Sequence, residues 1–433
     1  MIKYFGTDGI RGKAYEFISE HLAYQVGLAL QVLENDKLII GRDTRESGLA
    51  LATKIIEGAK EVGIRAYDVG VVSTPMLSYL SKCFDSLGVM ITASHNPHTD
   101  NGIKIFKAGK KIFSKEEADI EGVLNGIVPV TKNKIEEANL IPFDPIDLYL
   151  KLFKQIIMRT NMKIGLDFAN GATYEIGKII FSKISSNLEF IGDKSNGKNI
   201  NENVGATNLN ALFNLIQEKQ LDLGFAFDGD GDRIMVVDSI GKIYDGDLLI
   251  YIFAVYLKEQ GLLKGNAVVL TKMSNLGIVK ALREQGINVI WTDVGDKYVL
   301  ETLETKNLIL GGENSGHIIN LLLLDTGDGL LNAVYLVKVI VESGKSLEEL
   351  TRGVILYPNQ TYNLNNVNKK MVNHEAVLAR IDLLRKRLGE DGKIIVRASG
   401  TEPVIRITVS ASTLSEVDEI IDDIVKTILE NSN

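Results

Sequence analysis

Short β-rich apolar runs alternate along the chain with segments whose apolar residues recur at helical spacing. Leu38-Ile39-Ile40-Gly41 predicts a strand, and Glu46 to Val62 predicts a helix with Leu49, Leu51, Ile55 and Ile56 on one stripe. Leu87 to Thr92 predicts the next strand. The same texture returns at Lys163 to Phe168, Leu221 to Phe227, Ala267 to Leu270 and Asn288 to Thr292. Alternation of this kind predicts α/β units on mixed or mostly parallel sheets. The pattern then changes. Lys393 to Val396 and Ile405 to Val409 read as two strands around a loop, and Val417, Ile420, Ile421, Ile424, Val425 and Ile428 fall at helical spacing. Thr413 and Glu416 predict a capping box at the start of that last helix.

Two breaks in this pattern suggest boundaries. Residues 131–145 are polar and then punctuated by proline, and residues 357–370 run from Tyr357-Pro358-Asn359-Gln360 into an Asn/Lys-rich stretch. The expected division is 1–142, 143–250 and 251–360, three α/β domains, followed by a smaller C-terminal α+β domain at 361–433.

Composition narrows the function. The 433 residues carry 48 Lys plus Arg against 56 Asp plus Glu, a formal charge of −8, which argues against a nucleic-acid partner. The longest apolar stretch, Leu248 to Leu257, has ten residues where a membrane span needs about 20. Met1 to Gly6 lacks the apolar core of a signal peptide. The single cysteine, Cys83, excludes an intrachain disulfide and suits a reducing compartment. The expectation is a cytoplasmic multi-domain enzyme with a small-molecule substrate; a homodimer is left open. Glycine is abundant (40) and proline scarce (7), which points to tight backbone-lined loops.

Four such loops could carry chemistry. Phe227-Asp228-Gly229-Asp230-Gly231-Asp232-Arg233 ends a strand with three carboxylates separated by glycines. Converging carboxylates call for a cation, and oxygen ligands suit Mg²⁺ or Ca²⁺. An EF-hand would need Gly at the sixth place and Glu at the twelfth. Those places hold Arg233 and Ser239. Three protein ligands leave Mg²⁺ open positions, as phosphoryl transfer uses it. The second loop, Thr92-Ala93-Ser94-His95-Asn96-Pro97, puts Ser94 at a strand's end, where it reads as a nucleophile or as a turn residue. Ser94 and His95 would point opposite ways on an extended segment. Lys104, on the next predicted strand, reads as an acid/base, a phosphate partner or a surface lysine.

The third loop, Gly311-Gly312-Glu313-Asn314-Ser315-Gly316-His317, offers an acceptor and a donor suited to sugar hydroxyls, or forms a polar hairpin. The fourth, Arg397-Ala398-Ser399-Gly400-Thr401-Glu402-Pro403 with Arg406 on the next strand, makes an anion cradle of arginines, hydroxyls and backbone N–H groups. Arg11, after the turn Phe5-Gly6-Thr7-Asp8-Gly9-Ile10, follows the same logic. Neither is a Walker A loop or a dinucleotide fingerprint. Together the loops read as a phosphoryl-transfer kit for a phosphorylated polyol.

With all four loops in order, the whole chain resembles the α-D-phosphohexomutase superfamily. Phe5 to Gly12, Met273-Ser274-Asn275-Leu276-Gly277, Val294 to Val299, Gly311 to Ile319 and Thr326-Gly327-Asp328-Gly329 make it most similar to the amino-sugar branch. The resemblance implies four domains around a central cleft, with a mobile C-terminal one. It implies that Ser94 is carried as phosphoserine, and that Asp228, Asp230, Asp232 and a phosphoserine oxygen hold one Mg²⁺. It gives Lys104 and Arg11 roles in proton transfer and charge, Arg233 a place near the phosphate or sugar, and Glu313 and Ser315 the sugar hydroxyls. Arg397, Ser399, Gly400, Thr401 and Arg406 would hold the non-reacting phosphate. The implied reaction interconverts glucosamine 6-phosphate and glucosamine 1-phosphate through a sugar 1,6-bisphosphate, for amino-sugar nucleotide and cell-wall synthesis. Glucose or mannose phosphate mutation is the alternative within the family; a phosphatase or a non-catalytic sugar-phosphate binder lies outside it. Asn314 departs from the Gln often found in that branch, and Lys272 and Lys297 receive no role.

Overall fold

A computed structural model describes residues 3–6, 8–135, 143–399 and 404–432. By compactness the chain forms two units, residues 1–272 with 290–350 and residues 273–289 with 351–433.

Three sheets build the larger unit. In the first, Lys37–Arg42 runs parallel to Arg65–Val71 on one side and to Leu87–Ile91 on the other. Leu87–Ile91 pairs antiparallel with Asp100–Lys107, which pairs antiparallel with Gly9–Lys13, so the sheet is mixed as expected. Every residue of Leu87–Ile91 is buried. A central strand covered on both faces needs apolar residues at each position, hence the continuous run rather than alternation. The helix Gly48–Glu61 buries Leu51, Ala52, Ile55 and Ala59. Leu49, expected on that stripe, is exposed. Residues two positions apart on a helix stand about 200° apart, so Leu49 cannot share a face with Leu51.

The second sheet runs in the order Ile243–Tyr244, Ile234–Asp238, Leu223–Phe227, Ile164–Asp167, Leu188–Ile191. Leu223–Phe227 is parallel to Ile164–Asp167, antiparallel to Ile234–Asp238, and wholly buried. The third sheet orders Asn288–Thr292, Ala267–Thr271, Leu310–Gly312 and Ile318–Asn320. The apolar run Leu248 to Leu257 lies in the helix Gly246–Glu259, buried on nearly all sides. That explains its texture, and the expected division at 250/251 falls inside this helix. Among the described residues no helix is long and apolar enough to cross a membrane.

The smaller unit holds a three-stranded antiparallel sheet, Asn359–Asn365, Val404–Ser410 and Lys393–Ala398, with Val404–Ser410 in the middle. The helices Glu375–Leu388 and Leu414–Glu430 supply Ile381, Leu384, Val417, Ile420, Ile424 and Ile428 to one apolar cluster with Ile405, Ile407 and Val409. This is the α+β texture expected of the C-terminal region. Only half of the expected capping box forms. The Thr413 hydroxyl accepts from the Glu416 N–H at 3.3 Å, while the Glu416 carboxylate accepts from the Ser412 hydroxyl at 3.2 Å.

Three loops now have defined origins. The segments carrying Ser94, Asp228 and Glu313 each leave the C-terminal end of a strand, Leu87–Ile91, Leu223–Phe227 and Leu310–Gly312 respectively. That is the end of an α/β sheet at which ligand sites form.

Candidate active site

The aspartate loop is a tight turn closed by the Gly231 N–H, which donates to the Asp228 carbonyl at 3.1 Å. Gly231 sits at φ +75°, and a Cβ there would come within 2.3 Å of the Thr173 methyl. Only glycine fits. The turn brings an oxygen of each of Asp228, Asp230 and Asp232 within 4.8 Å of the others, and all three residues are buried. Burial, reinforced by Asp230 and Asp232, pushes the Asp228 carboxyl well above the usual range. One oxygen of Asp230 and one of Asp232 are buried without a hydrogen-bond partner. Orphaned oxygens on three converging carboxylates fit a hard divalent cation, so this triad can bind a metal.

Ser94 meets the triad directly. Its hydroxyl donates to Asp228 Oδ2 at 2.5 Å. The backbone at Ser94 is left-handed, φ +53°, rather than extended. For that reason the expectation that Ser94 and His95 diverge fails: Ser94 Oγ lies 3.2 Å from His95 Nδ1. Burial, with Arg233 and Arg11 nearby, pushes the His95 imidazole down to about 4, so it is neutral at neutral pH.

Lys104 is no surface lysine. It is 1% exposed, on the strand Asp100–Lys107, with Nζ 2.8 Å from Asp230, 3.0 Å from Asp232 and 3.1 Å from Asp8. Burial opposes its charge, but Asp230, Asp232 and Asp8 outweigh burial and hold the ammonium well above the ordinary lysine range. The charges continue as a ring. Lys111 bonds Asp8 at 2.5 Å and also Asp296; Asp296 lies 3.6 Å from His317 Nε2; His317 Nδ1 lies 3.7 Å from Asp232. Burial raises the Asp8 carboxyl, yet Lys104, Lys111 and Arg11 together hold it well below its usual range. Arg11 donates to the Asp8 carbonyl at 3.2 Å and to its carboxylate. The Arg233 N–H donates to Asp228 Oδ1 at 3.2 Å, and its side-chain Nε is buried without a hydrogen-bond partner.

The Glu313 loop seats against the second sheet. Gly316 stands at φ +92°, its carbonyl accepting from the Ile234 N–H at 3.1 Å; a Cβ there would lie 2.1 Å from the Ile234 carbonyl oxygen. Glu313 accepts from the Gly295 N–H at 3.0 Å, and the Ser315 hydroxyl is buried without a hydrogen-bond partner. The structure therefore brings Ser94, Asp228, Asp230, Asp232, Lys104 and Arg233 together, links Arg11 to them through Asp8, and places the Glu313 loop against the same sheet.

In the smaller unit, Arg397 and Arg406 are register partners on adjacent antiparallel strands. Paired residues project from the same face, so two arginines stand side by side. Arg397 is exposed, Arg406 half-buried and Ser399 buried. The Ser399 carbonyl accepts from Lys369 Nζ at 2.6 Å. Gly400 and Thr401 lie outside the described residues.

Sequence reasoning passed over several members. Asp8, Asp296 and His317 lie inside the motifs above, but their local sequence gives them no role, and Lys111 and Lys369 carry no local signal. Asp43 and Arg45 were also missed, although Gly41-Arg42-Asp43-Thr44-Arg45 follows a predicted strand, the same signal that singled out the other loops.

Four family profiles match in order: phosphoglucomutase/phosphomannomutase alpha/beta/alpha domain I at residues 2–128, domain II at 147–241, domain III at 245–356 and the C-terminal domain at 362–427. The phosphoglucosamine mutase of an Exiguobacterium species is 40% identical over 447 residues, covering 100% of this chain and 99% of the relative. That of Bacillus subtilis is 41% identical over 441 residues, covering 99% and 98%. Among solved structures, a phosphoglucomutase/phosphomannomutase family protein from Burkholderia thailandensis shares the fold with a TM-score of 0.81 at 22% identity, over 100% of this chain and 99% of that one. The N-acetylphosphoglucosamine mutase of Aspergillus fumigatus, solved with GlcNAc-6P and magnesium, gives a TM-score of 0.64 at 17% identity, covering 100% and 96%.

Proposed function

This chain belongs to the phosphoglucomutase/phosphomannomutase family, and within it we propose that it works as a phosphoglucosamine mutase, interconverting glucosamine 6-phosphate and glucosamine 1-phosphate. The amino-sugar reading rests on about 40% identity over the full chain to relatives of that name. The observation that carries the chemistry is the 2.5 Å bond from the Ser94 hydroxyl to Asp228, beside a buried, protonated Lys104.

Ser94 is the phosphoryl carrier. Asp228, Asp230 and Asp232 would hold Mg²⁺ together with an oxygen of the phosphoryl group on Ser94. When bound, the ion neutralises charge on the transferring phosphoryl group. Asp228 orients the serine oxygen. Lys104, kept charged by three carboxylates, faces the developing negative charge and can return a proton to the serine oxygen as it leaves. Arg11 adds positive charge beside Asp8. The sugar's free hydroxyl takes the phosphoryl group as the bond from phosphorus to the Ser94 oxygen breaks, and its proton replaces the one that Lys104 gave to the serine oxygen, forming a 1,6-bisphosphate. The bisphosphate then presents its other end, and Ser94 takes that phosphoryl group back. Glu313 and Ser315 would hold sugar hydroxyls, Arg233 the sugar or its phosphate, and Arg397, Ser399, Gly400, Thr401 and Arg406 the non-reacting phosphate.

The test is one assay with glucosamine 6-phosphate, glucose 1-phosphate and mannose 1-phosphate, with Mg²⁺ and a bisphosphate primer. Fastest isomerisation of the amino sugar supports the proposal. Preference for glucose or mannose moves it to the alternative within the family, release of inorganic phosphate makes it a phosphatase, and no turnover makes it a binder.

A further inference from the structure

Arg45 follows the strand Lys37–Arg42, and its side chain is completely buried. A guanidinium has five N–H donors, and each of these has an acceptor in the protein. Nε donates to Asp43 Oδ2 at 2.9 Å. One terminal nitrogen donates to the carbonyls of Asp100, at 3.0 Å, and Pro97. The other donates to the carbonyls of Ser94, at 3.0 Å, and Asn96, at 2.8 Å. Nothing is left over for a phosphate, so Arg45 is no substrate ligand. It spends its whole donor set on the loop that carries Ser94.

A second group converges on the same two carbonyls. The Asn201 amide donates to Ser94 O at 2.9 Å and to Asn96 O at 3.1 Å. Asn201 is fixed in turn by its own N–H, which donates to the Ala169 carbonyl at 2.8 Å. On the other side of the serine, the Ser94 N–H donates to Thr92 Oγ1 at 2.9 Å, and the Thr92 hydroxyl donates to Asp43 Oδ2 at 2.6 Å. Asp43 therefore joins the two ends: it anchors Arg45, which grips the Ser94 carbonyl, and Thr92, which grips the Ser94 amide. The residue between those grips is the one held at φ +53° with its hydroxyl on Asp228.

We infer that Arg45 and Asn201 are positioning residues, a two-sided clamp that holds Ser94 in its left-handed conformation so that its oxygen stays aligned while phosphoryl groups pass on and off it. The inference rests on the reading of Ser94 as phosphoryl carrier. It also explains why a side chain tolerates φ > 0 here without a glycine: the surrounding hydrogen bonds over-determine the backbone. Lysine cannot replace the guanidinium, because one ammonium has three donors on a single atom and cannot span a carboxylate and four carbonyls.

The test compares wild type, Arg45→Lys and Asn201→Ala, each with Mg²⁺. Amide hydrogen exchange over residues 92–100 should rise by about tenfold or more in the variants, with exchange elsewhere unchanged. Turnover of glucosamine 6-phosphate should fall by about 10²-fold in kcat, as a misplacement of about 1 Å would cause, with KM within about threefold. Unchanged exchange over 92–100 overturns the clamp. A raised KM at constant kcat also overturns it, because that marks direct substrate binding. Asn201→Ala carries the same test if Arg45→Lys fails to fold. A wild type that turns over no sugar phosphate removes the mutase reading, while the exchange measurement still decides the clamp.

Discussion

Two regions of this molecule handle charge in opposite ways. Around Ser94 the charged groups are buried and answered by neighbours: Lys104 by Asp8, Asp230 and Asp232, and Lys111 by Asp8 and Asp296. At the C-terminal sheet Arg397 and Arg406 stand opposite one another in register, with Arg397 exposed. A buried ion needs its partner within the fold, since water is absent and the desolvation cost is several kcal/mol. Like charges opposite one another on adjacent strands repel, solvent beside the exposed Arg397 keeps that cost small, and an anion bound between them would relieve it. On the proposed reading, the first arrangement is preorganised for a reaction and the second takes up an anion. Damage to the first should therefore appear in kcat, and damage to the second in KM.

The largest effect expected is at Ser94. Ser94→Ala should lower mutase turnover by about 10⁴-fold or more, as loss of a covalent nucleophile does, with little change in stability. A coupled assay for the isomerised sugar measures it, and turnover within tenfold of wild type would remove Ser94 as the carrier. Next comes the cation. Excess EDTA should stop turnover and Mg²⁺ should restore it. A cation that binds only the folded state stabilises it by about 2.7 kcal/mol at 100 times its Kd. Thermal unfolding should thus show a higher Tm with Mg²⁺ than with EDTA, and Asp230→Asn should shrink that gap. An equal gap in the variant would sever the triad from the metal.

A third experiment asks whether a lone buried carboxylate, lacking a cation, obeys the rule seen around Ser94. Asp167 ends the strand Ile164–Asp167, is fully buried, and accepts from the N–H groups of Ala169 at 2.9 Å and Gly205 at 2.7 Å. Burial pushes its carboxyl up to about 6, against the two N–H groups that pull it down. A folded-state value above the unfolded one means that the folded protein keeps its proton longer. The associated stability is complete below the unfolded value near 3.8 and is lost as pH rises through about 6. Asp167→Asn lacks this titration. Urea unfolding should show the wild type losing about 3 kcal/mol relative to the variant between those pH values, and no further change above. A difference that grows in favour of wild type as pH rises would mean that the two N–H bonds outweigh burial.

The contrast between the regions also explains what could be read from the sequence. The aspartate loop announces itself because its ligands are contiguous: Asp228, Asp230 and Asp232 need only one turn to converge. The strand positions were legible for the same local reason, since Leu87–Ile91 and Leu223–Phe227 must be apolar throughout. The ring through Asp8, Lys111, Asp296 and His317 was not legible, because its members come from four separate segments and each alone looks like a surface charge. Arg45 was hidden differently: its place after a predicted strand is visible, but apart from Asp43 its partners are backbone carbonyls, which leave no trace in side-chain identity. The Ser94–His95 contact was misread because φ +53° at a serine has no sequence signal; the hydrogen bonds that impose it come from residues 43–45, 92 and 201.

The smallest effect expected bears most directly on the comparison. Arg406→Ala removes one of two adjacent cations from the C-terminal sheet. If the pair serves an anion, the variant should lose one charge-assisted contact, worth about 1.5–3 kcal/mol, and KM for glucosamine 6-phosphate should rise by roughly ten- to a hundredfold. Stability should change by less than about 1 kcal/mol, because a like-charged cross-strand neighbour is removed along with the Arg406 contacts. kcat at saturating substrate should stay near wild type, since the group lost does not belong to the buried centre. Steady-state kinetics and a thermal melt on one preparation read all three quantities. A fall in kcat with KM unchanged would erase the distinction between the regions, because the C-terminal arginines would then act on the reaction itself rather than on the capture of its anion.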